Sequence, residues 1–582
     1  MTVSNRAVWL IWIALFAVWF GTLDYRKLIR PDEGRYAEIP REMVASGDWL
    51  TPRLNNIKYF EKPPLQYWAT AASYELFGQE EWTARLWTGL TGFLSILLAA
   101  WSGRRLWGTR AGNLAAAILA STLLFVVLGH VNTLDMGLSF FLQVAWTAFL
   151  FAQQGDPASS RRWMWLLWAA LALAVLSKGL VALVLCGATL VVYSLLNRDI
   201  SPWKKLAPFS GLAIFFAITA PWFIAVSIVN PEFPHFFFIH EHLDRFLTKI
   251  HHRDEPFWYF FAVFAAGALP WSFLMLHALC KSWQRDSGVE FQPQRFLALW
   301  AVVTFVFFSF SSSKLPPYIL PILPALALLG GRHLADLSSR SLLLHFGILA
   351  IIISIGIVLL PQTIKGHNVE NTAAMLEAYS HWLFVGLSVM LVAALAAMAL
   401  TMKRRSVAAL AVIAAGGSFV SFAALLGHES FSLSMSTAHV AAEVRPLITP
   451  NVPFYSVERY EQALPFYINR TVTVVAEAGE LAFGLQQEPN KWIPTLTEFK
   501  QRWLADKDAF AIMSHSTYAA LAAENLPMTE ITRDVRNIIV RKFNPPPIPR
   551  LVGGGDGCSA AQNAASASMA GSLGRPCERA TQ

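Results

Sequence analysis

The chain has 582 residues, of which 55% are hydrophobic and 14% charged, with a mean hydropathy of +0.44 and a net charge of +8. The charged share is about half that of a soluble domain, and 41 Phe and 22 Trp add to a composition that excludes an ordinary soluble enzyme. The basic excess lies mostly in short loops between apolar runs, where it sets orientation, so it does not argue for nucleic acid.

A bilayer core needs about 20 apolar residues per helix. Runs of that kind occur at 7–25, 82–102, 112–130, 133–153, 162–177, 179–196, 206–228, 257–280, 295–312, 315–331, 341–361, 380–401 and 406–427. They predict an α-helical polytopic membrane protein with about thirteen transmembrane helices. No small-residue cleavage site follows the first run, so it reads as a retained span. With the N-terminus inside, the inside loops hold Arg104, Arg105, Arg161, Arg162, Lys204, Lys205, Lys403 and Arg404. The short outside loops hold little more than Lys178, Lys314 and Lys365. An odd number of spans puts the C-terminal region outside, which is the periplasm in a Gram-negative cell.

Two outside loops, 26–81 and 229–256, interrupt this membrane domain of residues 1–429. Asp32–Ser46 has helical spacing and predicts a short amphipathic helix lying on the membrane surface, ended by Gly47-Asp48. Residues 430–547 alternate strand-like runs (Val452–Val457, Thr471–Val475, Ala509–Met513, Asn537–Lys542) with helix-like runs (Thr495–Ala505, Ser516–Asn525) and predict a small α/β domain. The tail, 548–582, has Pro, Gly, Ala and Ser without periodicity and is expected to be disordered. Four cysteines in no zinc-type spacing give no sign of a zinc finger.

Chemistry-bearing residues gather in the outside loops. Arg30-Pro-Asp32-Glu33-Gly-Arg35-Tyr36-Ala-Glu38 follows the first span directly. There a carboxylate needs a cation or a partner, although ion pairs with Arg30, Arg35 and Lys62 would also account for it. In Tyr59-Phe60-Glu61-Lys62-Pro63-Pro64, adjacent opposite charges address two different partners, and the prolines stiffen the segment. This suits a phosphate-plus-metal site. Asp135 lies near the hydrocarbon boundary, where an ionised carboxylate is costly; either it or Thr133 also suits a helix N-cap. The second loop holds His235, His240, Glu241, His242, Asp244, Arg245, His251 and His252, a metal-capable density of imidazole and carboxylate. In that loop Arg245 suits a bidentate phosphate contact or a lipid head group. Tyr318 belongs to an interfacial segment, as a ligand or as part of an aromatic belt.

Asp32-Glu33-Gly34-Arg35-Tyr36-Ala37-Glu38-Ile39-Pro40-Arg41-Glu42-Met43 with Ser46-Gly47-Asp48-Trp49, then Tyr59-Phe60-Glu61-Lys62-Pro63, resembles the 4-amino-4-deoxy-L-arabinose lipid A transferases. These lie within the dolichyl-phosphate-mannose-type protein mannosyltransferase family of GT-C fold. Glu241-His242 with Arg245-Phe246 resembles that family's second loop. Gly34 departs from it, since the family usually has Thr there. The resemblance implies a donor, undecaprenyl phosphate carrying aminoarabinose, and an acceptor, a phosphate of lipid A. It makes Asp32 the catalytic carboxylate and Asp135 a second one. Tyr59, Lys62, Arg245 and Tyr318 become ligands of the lipid phosphate. Glu61 and His240, in preference to His242, become ligands of a divalent metal, zinc or magnesium. A monomer in the bacterial inner membrane, working on the periplasmic face and conferring polymyxin resistance, is the expected setting. Another sugar, a protein acceptor, or a lipid-sugar transporter are the alternatives; the clustering of charge at one face argues against the last.

Overall fold

The computed structural model describes residues 5–244, 255–285, 290–334 and 336–543. The helical part contains α1 (Asn5–Gly21), α2 (Asp32–Ser46), α3 (Leu65–Phe77), α4 (Glu81–Trp107), α5 (Thr109–Ala120), α6 (Leu123–Leu128), α7 (Leu134–Gln154), α8 (Pro157–Lys178) and α9 (Val181–Asn197). It continues with α10 (Ser201–Lys204), α11 (Pro208–Val229), a π-helix (His235–Asp244), α12 (Tyr259–Gly267), α13 (Ser272–Lys281) and α14 (Pro293–Phe310). A 3-10 turn (Pro316–Ile322), α15 (Leu323–Leu334), α16 (Ser339–Ile364), α17 (Ala373–Met402) and α18 (Ser406–Gly427) complete it.

Each of the thirteen apolar runs contains helix. Among the described residues, however, only seven helices are long and apolar enough to cross a membrane, or eight if α12 and α13 form one span. The shortfall has local causes. The 112–130 run divides at Ser121-Thr122 into α5 and α6. The 257–280 run bends by 109° between α12 and α13, at a break containing Pro270, which has no N–H to continue the ladder. The 315–331 run begins as a 3-10 turn rich in proline.

α2 has the bounds its periodicity predicts. Asp32 and Glu33 occupy its first turn, where negative charge favours the helix dipole. Gly47, at φ 72°, closes the other end and donates to Met43 O at 2.9 Å, a left-handed cap that glycine adopts without strain. Its setting differs from the prediction: every residue from Glu33 to Met43 is buried. Its apolar side, Tyr36, Ile39 and Met43, packs with Tyr59 and Tyr67 below and with Val474, Leu481 and Leu485 of the C-terminal region above. Much of its polar side is paired within the protein. Arg41 donates to both carboxylate oxygens of Glu38, at 2.7 and 2.6 Å. Glu42 accepts the backbone N–H groups of Asn55 and Asn56 at 2.5 and 2.6 Å. Those two asparagines, at φ 56° and 60°, turn the hairpin of β1 (Arg53–Leu54) and β2 (Ile57–Lys58), a turn that needs positive φ at both central residues.

The C-terminal region carries a five-stranded sheet in the order β4-β3-β5-β7-β6. Its strands are β3 (Phe454–Val457), β4 (Thr473–Val475), β5 (Asp508–Ser514), β6 (Thr529–Arg533) and β7 (Asn537–Phe543). β3 runs parallel to both β4 and β5. The four sequence-predicted strands are present; β6, with only one buried residue among its five positions, lacks the apolar signal. Residues 1–542 form one compact unit, and the sheet's loops sit directly on α2. Gly34 shows how closely: a Cβ there would lie 2.5 Å from Ala463 N. The departure from the usual threonine thus coincides with close docking of the C-terminal region.

Candidate active site

The N-terminal turn of α2 brings together segments distant in sequence. Glu33 is fully buried: its Oε1 accepts from Arg85 Nε (2.7 Å) and Asn132 N (2.9 Å), and its Oε2 accepts from Arg85 Nη2 (3.0 Å) and Ile29 N (3.1 Å). Burial alone would raise its pKa, but the Arg85 and Arg26 guanidiniums hold it down at about 2. Asn132 accepts in turn from Gln66 Nε2 at 2.8 Å. One network therefore ties the start of α2 to the start of α3, just after Glu61-Lys62, and to the turn leading into α7 and Asp135.

Asp32, one residue earlier, stays open, with 41% of its side chain exposed and Arg35 Nη1 at 3.4 Å from its Oδ1. Arg35 reaches Glu480 Oε2 at 2.5 Å and lies near the Tyr36 and Tyr59 rings, at 5.7 and 5.8 Å from their centroids. Burial pushes the Glu480 carboxyl up against the pull of Arg35, and burial pushes the Tyr59 phenol well above its ordinary value. The Tyr59 and Tyr67 hydroxyls and Arg35 Nε are buried with no hydrogen-bond partner among the described residues, a costly state in a site that takes no ligand. Next to this group, Lys62 Nζ donates to Glu61 O at 2.8 Å and to Glu241 Oε2 at 3.0 Å.

Asp135 pairs with Lys178 at the end of α8, and Lys178 Nζ lies 4.7 Å from the Tyr318 ring centroid. The alternative of a side-chain cap is not seen: Thr133 stands at the N-cap of α7 without a side-chain cap bond, and its Oγ1 is buried with no hydrogen-bond partner among the described residues. Leu134 packs with Tyr36, Tyr59 and Tyr67, which sets the start of α7 beside the Asp32 group. Below it, a groove of about 890 Å³ runs between Trp49, Leu65, Trp68, Trp87 and Trp222.

Asp32, Tyr59, Glu61 and Lys62 thus gather at one end of the bundle, beside the Asp135, Lys178 and Tyr318 group. Arg245 lies outside the described residues. His240 Nδ1 is 3.7 Å from Glu241 Oε1, but among the described residues no three His, Cys, Asp or Glu side chains converge as a metal site would require. Among the described residues Glu61 and His240 do not make a complete donor set. Sequence reasoning missed Lys178 and Glu480. Lys178, alone between two apolar runs, read as a topology marker; Glu480, far along the chain, carried no local signal.

Residues 61–224 match the family model for dolichyl-phosphate-mannose-protein mannosyltransferase, and residues 440–542 match that for the aminoarabinose transferase C-terminal domain. An undecaprenyl phosphate-α-4-amino-4-deoxy-L-arabinose arabinosyl transferase of Erwinia tasmaniensis is 34% identical over 385 residues, 63% of this chain and 68% of the relative. The chain belongs to that transferase family. A relative of the same description from Sodalis glossinidius strain morsitans is 37% identical over 56% of this chain, an alignment spanning 60% of the relative's length. The crystal structure of ArnT from Cupriavidus metallidurans bound to undecaprenyl phosphate superposes with a TM-score of 0.88 at 38% identity, over 93% of this chain and 98% of that one. The same protein in the apo state gives 0.85.

Proposed function

We propose that this chain transfers 4-amino-4-deoxy-L-arabinose from undecaprenyl phosphate to a phosphate of lipid A, working as a monomer on the periplasmic face of a bacterial inner membrane. The observation that carries this reading is the near full-length match to ArnT from Cupriavidus metallidurans bound to undecaprenyl phosphate, beside relatives named as aminoarabinose transferases. The site's chemistry agrees with it. A phosphate ester is already a competent leaving group, so the protein's task is to stabilise the charge that develops on it. The family resemblance assigns that role to Lys62, with Arg245 and Tyr318 beside it; fixed cations in a partly dry site lower such a barrier. The acceptor is a phosphate monoester with a second pKa of about 6, so it needs little deprotonation. Asp32, open and adjacent to Arg35, is placed to orient the sugar or the acceptor for a single inverting displacement, or to take a proton. The Tyr59 hydroxyl, buried beside Arg35, has no hydrogen-bond partner among the described residues. Asp135, held by Lys178, is the second carboxylate. The acid-rich surroundings of Asp32, Glu61 and Glu480 suit a sugar that carries an amine.

The test uses a host that makes the donor but lacks its own transferase, given either this gene or its Asp32→Asn version. Polymyxin resistance and a lipid A mass increased by one aminopentose are expected with the intact gene only. If lipid A stays unmodified although both proteins reach the membrane, the aminoarabinose reading fails, and a different sugar or acceptor must be sought.

A further inference from the structure

Lys62 already has an anion. Its ammonium donates to the carboxylate of Glu241 at 3.0 Å and to the Glu61 carbonyl at 2.8 Å, and the Glu241 side chain is only 2% exposed. An ammonium has three donors, and here two of them are directed at protein oxygens. A lipid phosphate arriving at Lys62 therefore meets a carboxylate in its place.

We propose that Glu241 competes with the lipid phosphate for Lys62, yielding to the donor and returning to expel the spent carrier. The inference rests on the reading of Lys62 as a phosphate ligand. The charges of the two lipids make such a competitor useful. The donor is a phosphodiester with one negative charge. After transfer the carrier is a monoester with a charge of about −1.5 to −2 at neutral pH. The product thus binds a fixed ammonium more strongly than the substrate does, and turnover needs an opposing anion.

The element carrying Glu241 supports the exchange. It is a π-helix, a winding that is rare and frequent at functional sites. It is held on one side by the C-terminal region, where Phe236 stacks on Phe483 with ring centroids 3.9 Å apart. Two residues before it, Phe233 meets Phe60 of the first loop at 5.3 Å. Lys58 anchors the chain just before it through Glu232 at 2.6 Å. Glu241 lies beyond these anchors, near the π-helix's end.

The experiment titrates undecaprenyl phosphate into the full-length protein in detergent and follows intrinsic fluorescence, with the thermal midpoint recorded for every variant. Glu241→Gln is expected to bind about fivefold more tightly than the unmodified protein, the weight of one partly screened ion pair. In turnover, it should show stronger inhibition by undecaprenyl phosphate and a lower kcat with a lower donor KM. In a Lys62→Ala background the same substitution should change nothing. Glu241→Asp, whose carboxylate is one methylene shorter, should bind with intermediate affinity and serves if the glutamine variant does not assemble. Equal or weaker binding by Glu241→Gln at an unchanged thermal midpoint overturns the exchange while leaving Lys62 as a ligand. Unchanged binding by Lys62→Ala overturns the reading of Lys62 itself.

Discussion

The two carboxylates that begin α2 meet different surroundings although they are neighbours in the chain. Glu33 has no exposed side-chain surface and accepts four hydrogen bonds, two of them from one guanidinium. Asp32 is 41% exposed and, among the described residues, has a loose contact with Arg35 at 3.4 Å. A buried charge is tolerated only when fully paired, so Glu33 is committed to architecture. A charge left partly unpaired keeps its capacity to interact, and this capacity is what chemistry requires. The distinction separates the closed Glu33, Arg85 and Asn132 network from the open Asp32 carboxylate one residue before it.

Substitutions at the two neighbours sharpen this contrast. Asp32→Asn is expected to lower the transfer rate by about 100-fold or more and leave the thermal midpoint in detergent where it was. Glu33→Gln should behave oppositely in kind. It removes the buried charge that Arg85 and Arg26 share and should cost about 3–5 kcal/mol of stability, visible as a lowered unfolding midpoint before any rate is measured. If Glu33→Gln keeps full stability, the division drawn here is wrong.

The pH dependence of that loss gives a finer check. The folded pKa of Glu33, about 2, lies below its ordinary value of 4.5. Its stabilisation is therefore fully present above about pH 4.5 and disappears as pH falls toward 2. The difference in stability between the unmodified protein and Glu33→Gln should shrink over that range and stay flat above pH 5. A difference that persists unchanged at pH 2 would remove the charge from the explanation.

The smallest effect concerns the join between the two parts of the molecule. The Asn55 side chain donates to Val472 O at 2.7 Å and accepts from Val472 N at 2.8 Å. Asn55→Ala removes both and should cost about 1–3 kcal/mol. Increased amide exchange at β4, by mass spectrometry, is the measurement. Unchanged exchange would mean that the remaining contacts, such as Arg53 to Glu488 at 3.0 Å, hold the join unaided.

Much of this could be read from the chain itself, because the signals were local. The ends of α2 follow from its acidic first turn and Gly47, and β3, β4, β5 and β7 follow from short apolar runs. What could not be read depends on distant partners. Arg85, at the start of an apolar run, looks like an interfacial cation until Glu33, 52 positions away, is seen beside it. The amphipathic pattern of α2 indicates one apolar face, but its polar face is equally covered, since Glu38, Arg41 and Glu42 find partners in the protein rather than in water. Lys178 is similar: its spacing marks a break between spans, and only the fold brings it to Asp135, 43 positions earlier.

The docking of the sheet on α2 also bears on how the enzyme is made. Synthesis proceeds from the N-terminus, and early segments settle first. Asn55 waits for Val472, 417 positions later, and Arg35 waits for Glu480. Until the stretch from Val472 to Glu480 has left the ribosome, Asn55 and Arg35 lack these partners and α2 lacks its cover. A chain ending before Val472 would keep its helices and still lack the partners of Asn55 and Arg35.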